Sequence, residues 1–128
     1  MDDFTALRER LPGYPGYGDR SSRHLADQEV RAALGEALAA ARERLVPTGA
    51  TADALDALLL RCEFSDQRLV RSAELAHVDD TIAAHAVALD RRVITLADRV
   101  AAAADAATLD AAIADANTLF DERIAALD

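Results

Sequence analysis

Residues 51–100 read TADALDALLLRCEFSDQRLVRSAELAHVDDTIAAHAVALDRRVITLADRV, fifty positions without a glycine or a proline. These two residue types interrupt helices most strongly, so the stretch reads as predominantly helical. Within it, Leu55, Leu59, Cys62, Asp66, Leu69, Ala73 and Ala76 recur with alternating four- and three-residue steps. That spacing makes a heptad-like seam with one polar intruder, Asp66. Continued further, the same register lands on Asp80, Ala83 and Asp90, and the seam fails there. A second register takes over through Leu75, Val78, Ile82, His85, Leu89, Val93, Leu96 and Val100. The change near His77 to Asp80 predicts a turn, with Asp79 capping the helix that follows. The rival reading is one helix of roughly 50 residues, about 75 Å long.

Outward from this stretch, all three prolines and four of the five glycines fall in two clusters, 12–18 and 47–49. Residues 50–128 contain neither type. The second cluster closes a helix over 23–45 whose apolar stripe is Val30, Leu34, Ala37, Leu38, Ala41 and Leu45, with Ser21 or Ser22 as the expected cap. The next helices are expected over 52–77, 80–102 and 109–127, with Thr51, Asp79 and Thr108 as caps. The last of them presents Leu109, Ile113, Ala116, Phe120, Ile124 and Leu127. Near-equal lengths suit an antiparallel bundle. The expected fold class is therefore all-α: an antiparallel bundle of about four helices over residues 22–128, preceded by an arm over residues 1–21. The arm reads as a short helix over 2–11, stopped by Pro12, followed by two Pro-Gly-Tyr turns. Pro-Gly pairs favour type II turns, in which glycine takes a positive φ.

Composition narrows the function classes. The chain has 128 residues and a net charge of −9, with 31 alanines, 14 arginines and no lysine. Lysine-dependent chemistry, from Schiff bases to the P-loop, has no residue to carry it. The charge is uneven: residues 47–128 hold 7 arginines against 15 acids, and after Ala101 the only arginine is Arg123. An acidic chain lacks the basic footprint of nucleic-acid binding. No apolar run reaches the roughly 18 residues of a membrane span, and the N-terminus has no signal-peptide pattern. The expected compartment is the cytoplasm. A single cysteine, Cys62, allows no intrachain disulfide and no cysteine-based zinc site, and reads as a small buried core residue. Alanine buries little surface, so a second copy or a partner is expected to complete the core.

No nucleophile triad, GxSxG or phosphate loop occurs, and the reading is non-enzymatic, without cofactor. The leading expectation is a helical interaction module, a homo-oligomer or adaptor, which presents a helical surface and a tyrosine-bearing arm to a protein partner. Tyr14, Tyr17, Arg20 and Arg23 are its candidate partner-binding residues, because tyrosine and arginine are enriched in binding hot spots. The same rings can instead fold back and plug one end of the bundle. The alternative is a ferritin-like metal-binding bundle. Glu74-x-x-His77 places a carboxylate and an imidazole on one helix face, Glu43 lies on the preceding helix, and oligomerisation would complete the site. His85 is expected on a seam as a core or interface histidine, and Asp66 is expected to pair with Arg31, Arg68 or Arg71 or to face solvent.

Overall fold

A computed structural model of the chain describes residues 2–64 and 79–127. Within them five helices form and no strand: α1 (Asp3–Arg10), α2 (Arg20–Leu45), α3 (Gly49–Glu63), α4 (Asp80–Ala102) and α5 (Ala106–Leu127). The expected all-α class is what is seen.

Aspartates start most of these helices. A side-chain oxygen just ahead of a helix accepts from an otherwise orphaned backbone N–H. Asp2 accepts from Thr5 at 2.7 Å, Asp19 from Ser22 at 2.8 Å, Asp79 from Thr81 at 2.8 Å and Asp105 from Thr108 at 2.8 Å. Asp79 is the cap expected from sequence. Elsewhere the aspartate a few residues upstream displaces the expected serine or threonine, and α2 and α5 begin three residues earlier than read. At α3 the cap position is Thr48, without a side-chain bond.

The long-helix alternative fails. α3 ends at Glu63, with Phe64 in extended backbone (φ −124, ψ 135), and α4 begins as a separate element at Asp80. The expected helix over 52–77 is thus described only as far as Glu63; Asp66, Leu69, Ala73, Glu74, Ala76 and His77 lie outside the described residues.

Two antiparallel hairpins make the body. In the first, Arg42 pairs with Asp56 and Arg31 donates to the Cys62 carbonyl. In the second, Arg99 pairs with Asp115 and Arg92 with Glu122. The hairpins meet through α2 against α4 and α3 against α5. Asp27 and Asp90 share Arg123 at one level, and Arg44 reaches the Val100 and Ala103 carbonyls at the other. α2 and α4 therefore run in the same sense, and the body is antiparallel within hairpins but parallel between them. The expectation of an antiparallel bundle holds for the hairpins alone. No described helix is long and apolar enough to cross a membrane.

The core follows the predicted stripes closely. Val30, Leu34, Leu38 and Ala41 of α2 are buried, as are Leu55 and Cys62 of α3, Leu89, Val93, Leu96 and Val100 of α4, and Leu109, Ile113, Ala116, Phe120 and Ile124 of α5. The α4 register fails at its start. Ile82 is 41% exposed and His85 is exposed, because burial on α4 begins only at Ala86. His85 is thus no core histidine.

Tight turns explain the remaining geometry. Gly16 takes a positive φ of 75, as the second Pro-Gly turn requires, whereas the first turn closes by Tyr14 N–H donating to Leu11 C=O without a positive φ at Gly13. Val46 ends α2 in the left-handed region at φ 45 and ψ 59, where a branched side chain crowds its own carbonyl. It is exposed, so the strain is not offset by packing. Val46→Gly is expected to raise stability by about 1 kcal/mol, after subtracting the extra entropy glycine loses on folding. A rise in the urea midpoint at constant m-value is the check, and a fall would show that the strain is not there.

A buried charge network and a candidate docking groove

The arm does not hang free. Leu7, Tyr14 and Tyr17 are 1%, 0% and 3% exposed and belong to the same core cluster as the bundle. α1 lies on α4, fixed by Asp3–Arg91 at 2.9 Å and Arg10–Asp98 at 2.7 Å. Pro12 stops α1, and the two turns then carry both tyrosines inward.

They converge on Asp90, an aspartate with no exposed surface. One of its oxygens accepts from the Tyr14 hydroxyl at 2.7 Å and from the Tyr17 hydroxyl at 2.5 Å. The other accepts from Arg123 Nε at 2.7 Å. Arg123 Nη2 donates to Asp27 at 2.9 Å, and Asp27 accepts from Arg31 Nε at 2.9 Å one helical turn on. Arg31 then donates to the Cys62 carbonyl at 2.8 Å. Two guanidinium groups lie over the Phe120 ring, Arg123 at 5.4 Å and Arg61 at 5.2 Å from its centroid. The chain of bonds ties the arm, α2, α3, α4 and α5 together through buried atoms.

Its formal charges cancel: Asp27 and Asp90 face Arg31 and Arg123. Isolated buried charges are very costly, and hydrogen-bonded pairing is what makes them tolerable. Burial pushes the Asp90 carboxyl above the usual carboxylate range, against the pull of Arg123 and both hydroxyls. Burial works against charge on Arg123, but Asp90, Tyr17 and Asp27 hold its guanidinium well above its ordinary value. Burial and the adjacent Asp90 raise both phenols, so Tyr14 and Tyr17 stay neutral donors. The arrangement is saturated, every oxygen of Asp90 being already engaged.

These positions place the candidate residues. Tyr14, Tyr17 and Arg23 are inside the protein, with Arg23 4% exposed and its guanidinium pulled below its usual value by burial. The tyrosines plug the bundle and leave no ring facing solvent. Arg20 opens α2, and its side chain lies outside the described set. Glu43 is exposed in the last turns of α2, while Glu74 and His77 lie outside the described residues. Among the described residues no group of three or more metal-ligating side chains comes together.

Sequence reading missed Asp90 as a centre, although both of its unusual features were visible. It was the acid on which the first seam register broke, and Arg123 was the lone cation of an acidic tail. Nothing local linked them, because the partners lie 33, 73 and 76 positions away from Asp90.

A second feature faces outward. A cleft of about 560 Å³ runs between α2 and α3, floored by Ala32, Gly35 and Ala39 of α2 and flanked by Leu59 and Leu60 of α3. Leu60 is 58% exposed, and Phe64, four residues on, is 67% exposed. Glu36, Glu63 and the Arg42–Asp56 pair form a charged rim. Cys62 borders the cleft, yet its thiol is buried and pushed up to about 11 by that burial. Thiolate is the reactive form. Alkylation of the native protein at neutral pH is therefore expected to run at least about tenfold slower than in urea, as followed by mass spectrometry; equal rates would place the thiol outside the core.

No protein-family model, no curated protein and no solved structure matches this chain.

Proposed function

We propose that the protein is a non-enzymatic helical interaction module, acting as a homo-oligomer or an adaptor, and that the α2–α3 cleft is its docking face. The supporting observation is Leu60 on the wall of the cleft, with Phe64 just past the end of α3. Both are more than half exposed, and Leu60 stands beside a floor of small residues. Small side chains allow an incoming helix to approach the backbone closely, and exposed large apolar groups beside them give it something to bury. The charged rim would then select among partners rather than supply most of the affinity. The tyrosines serve this surface indirectly, by holding the interior that positions α2.

Sedimentation velocity over a wide concentration range, together with cross-linking to proteins of the native host, tests this reading. Wild-type protein should self-associate or give one dominant cross-linked partner, and Leu60→Glu combined with Phe64→Glu should remove that product while leaving the helical circular dichroism intact. An association unaffected by the double substitution, or none at all, would overturn it.

A further inference from the structure

The arm is hydrogen-bonded to the body through side chains. Its backbone bonds among the described residues stay inside the arm or its own turns, as in Leu11 to Leu7 and Tyr14 to Leu11. Side chains anchor it to the body through partners far away in sequence: Asp3 to Arg91, Arg10 to Asp98, Tyr14 and Tyr17 to Asp90. Among the helices, α1 packs chiefly on α4. Between the last anchor, Tyr17, and the α2 cap, Asp19, there is one residue, Gly18, with open space around it. Asp19 is already extended, at φ −145 and ψ 178, as it enters α2.

We propose that the slot on α4 built around Asp90 also accepts the arm of a second copy of this chain, so that two copies exchange residues 2–17 and each completes the other's network. Exchange of an identical element re-forms the same contacts between copies, so its net cost is limited to the hinge and the loss of free translation. A one-residue hinge spans only about 3.5 Å when extended. The two-fold axis of the exchanged dimer must therefore pass close to Gly18, which brings the first turns of the two α2 helices together. Leu25, 41% exposed in that region, then gains a covered position. The slot lies on α4 and the interior, so this exchange does not depend on the α2–α3 cleft.

The test uses full-length chains. One carries Asp3→Cys and the other Arg91→Cys, at an exposed pair that α1 and α4 share. The two are mixed in denaturant, refolded over a range of concentrations and treated with a short bis-maleimide. Buried Cys62, with its raised thiol pKa, does not compete. Exchange predicts a covalent heterodimer whose share rises with concentration, while the chain carrying both cysteines cross-links within itself when dilute. Inserting Gly-Ser-Gly after Gly18 should lower the heterodimer share severalfold by relaxing the short hinge, and deleting Gly18 should raise it. The product should persist with Leu60→Glu and Phe64→Glu, which separates this proposal from docking at the cleft. Absence of the heterodimer up to millimolar protein, or equal dimer yield from either single-cysteine chain alone, would overturn it.

Discussion

Asp90→Ala should cost about 3–5 kcal/mol, a loss typical of breaking a buried ion pair from one side. The size follows from what is left behind. Arg123 keeps its partner Asp27 but loses the carboxylate at 2.7 Å, and two phenol hydroxyls lose their acceptor in a dry interior. A small domain has about 5–15 kcal/mol to lose, so this variant should sit near the edge of folding. Asp90→Asn should be nearly as damaging, because the amide restores the shape but not the charge, and its NH2 group meets donors. The informative control removes the whole constellation. Asp90→Leu, Arg123→Met, Tyr14→Phe and Tyr17→Phe together leave Asp27 paired with Arg31 at 2.9 Å, and apolar replacement of a complete buried set is often neutral. The quadruple variant should therefore recover most of the stability that Asp90→Ala loses. Urea titrations of the three proteins decide it. Were the quadruple variant as unstable as Asp90→Ala, the loss would come from packing rather than from stranded polar groups.

Removing residues 1–18 is expected to lower stability by at least about 4 kcal/mol, with a fall in Tm of about 15 °C. Leu7, Tyr14 and Tyr17 are buried, and full burial of such side chains contributes about 1.5–3 kcal/mol each. The two hydroxyls add charge-assisted hydrogen bonds of about 1.5–3 kcal/mol each, and ordering the arm opposes the sum. Asp19 stays in the shortened chain, so the α2 cap is preserved and the effect belongs to the arm. Tyr14→Phe with Tyr17→Phe isolates the hydroxyls and should cost less than the truncation but more than 1.5 kcal/mol. A truncated protein as stable as the full chain would show that the arm is an appendage and not part of the core.

The helices were legible because their signals are local. Four- and three-residue steps placed the stripes on α2, α4 and α5, and the clusters at 12–18 and 47–49 placed two of the breaks. Local signals also set the errors. Ser21, Ser22 and Thr108 are good caps, but Asp19 and Asp105 precede them and capture the first free N–H groups. His85 fits the spacing of Leu89 and Val93, yet spacing only says which face a residue shares, and α4 is not covered along its whole length. The end of α3 at Glu63 carries no glycine or proline, so the apolar pattern ran past it.

The network was legible only in fragments. Plugging by Tyr14 and Tyr17 was one of two readings of the arm, and nothing in the sequence weighed it against docking to a partner. The choice depends on whether an acceptor waits inside. That acceptor, Asp90, looked like a flaw in a seam. Its cation, Arg123, looked like a stray charge on an acidic helix. A polar residue on an apolar face signals a buried partner only once the face opposite it is known.

The bond between Asp27 and Arg123 joins positions 96 apart. During synthesis the first hairpin leaves the ribosome with Asp27 already formed, while the guanidinium that will meet it is still many codons from being made. The nascent protein cannot seal its middle until Arg123 has been made and has reached the two aspartates. Products truncated anywhere before position 123 should therefore never acquire a closed interior.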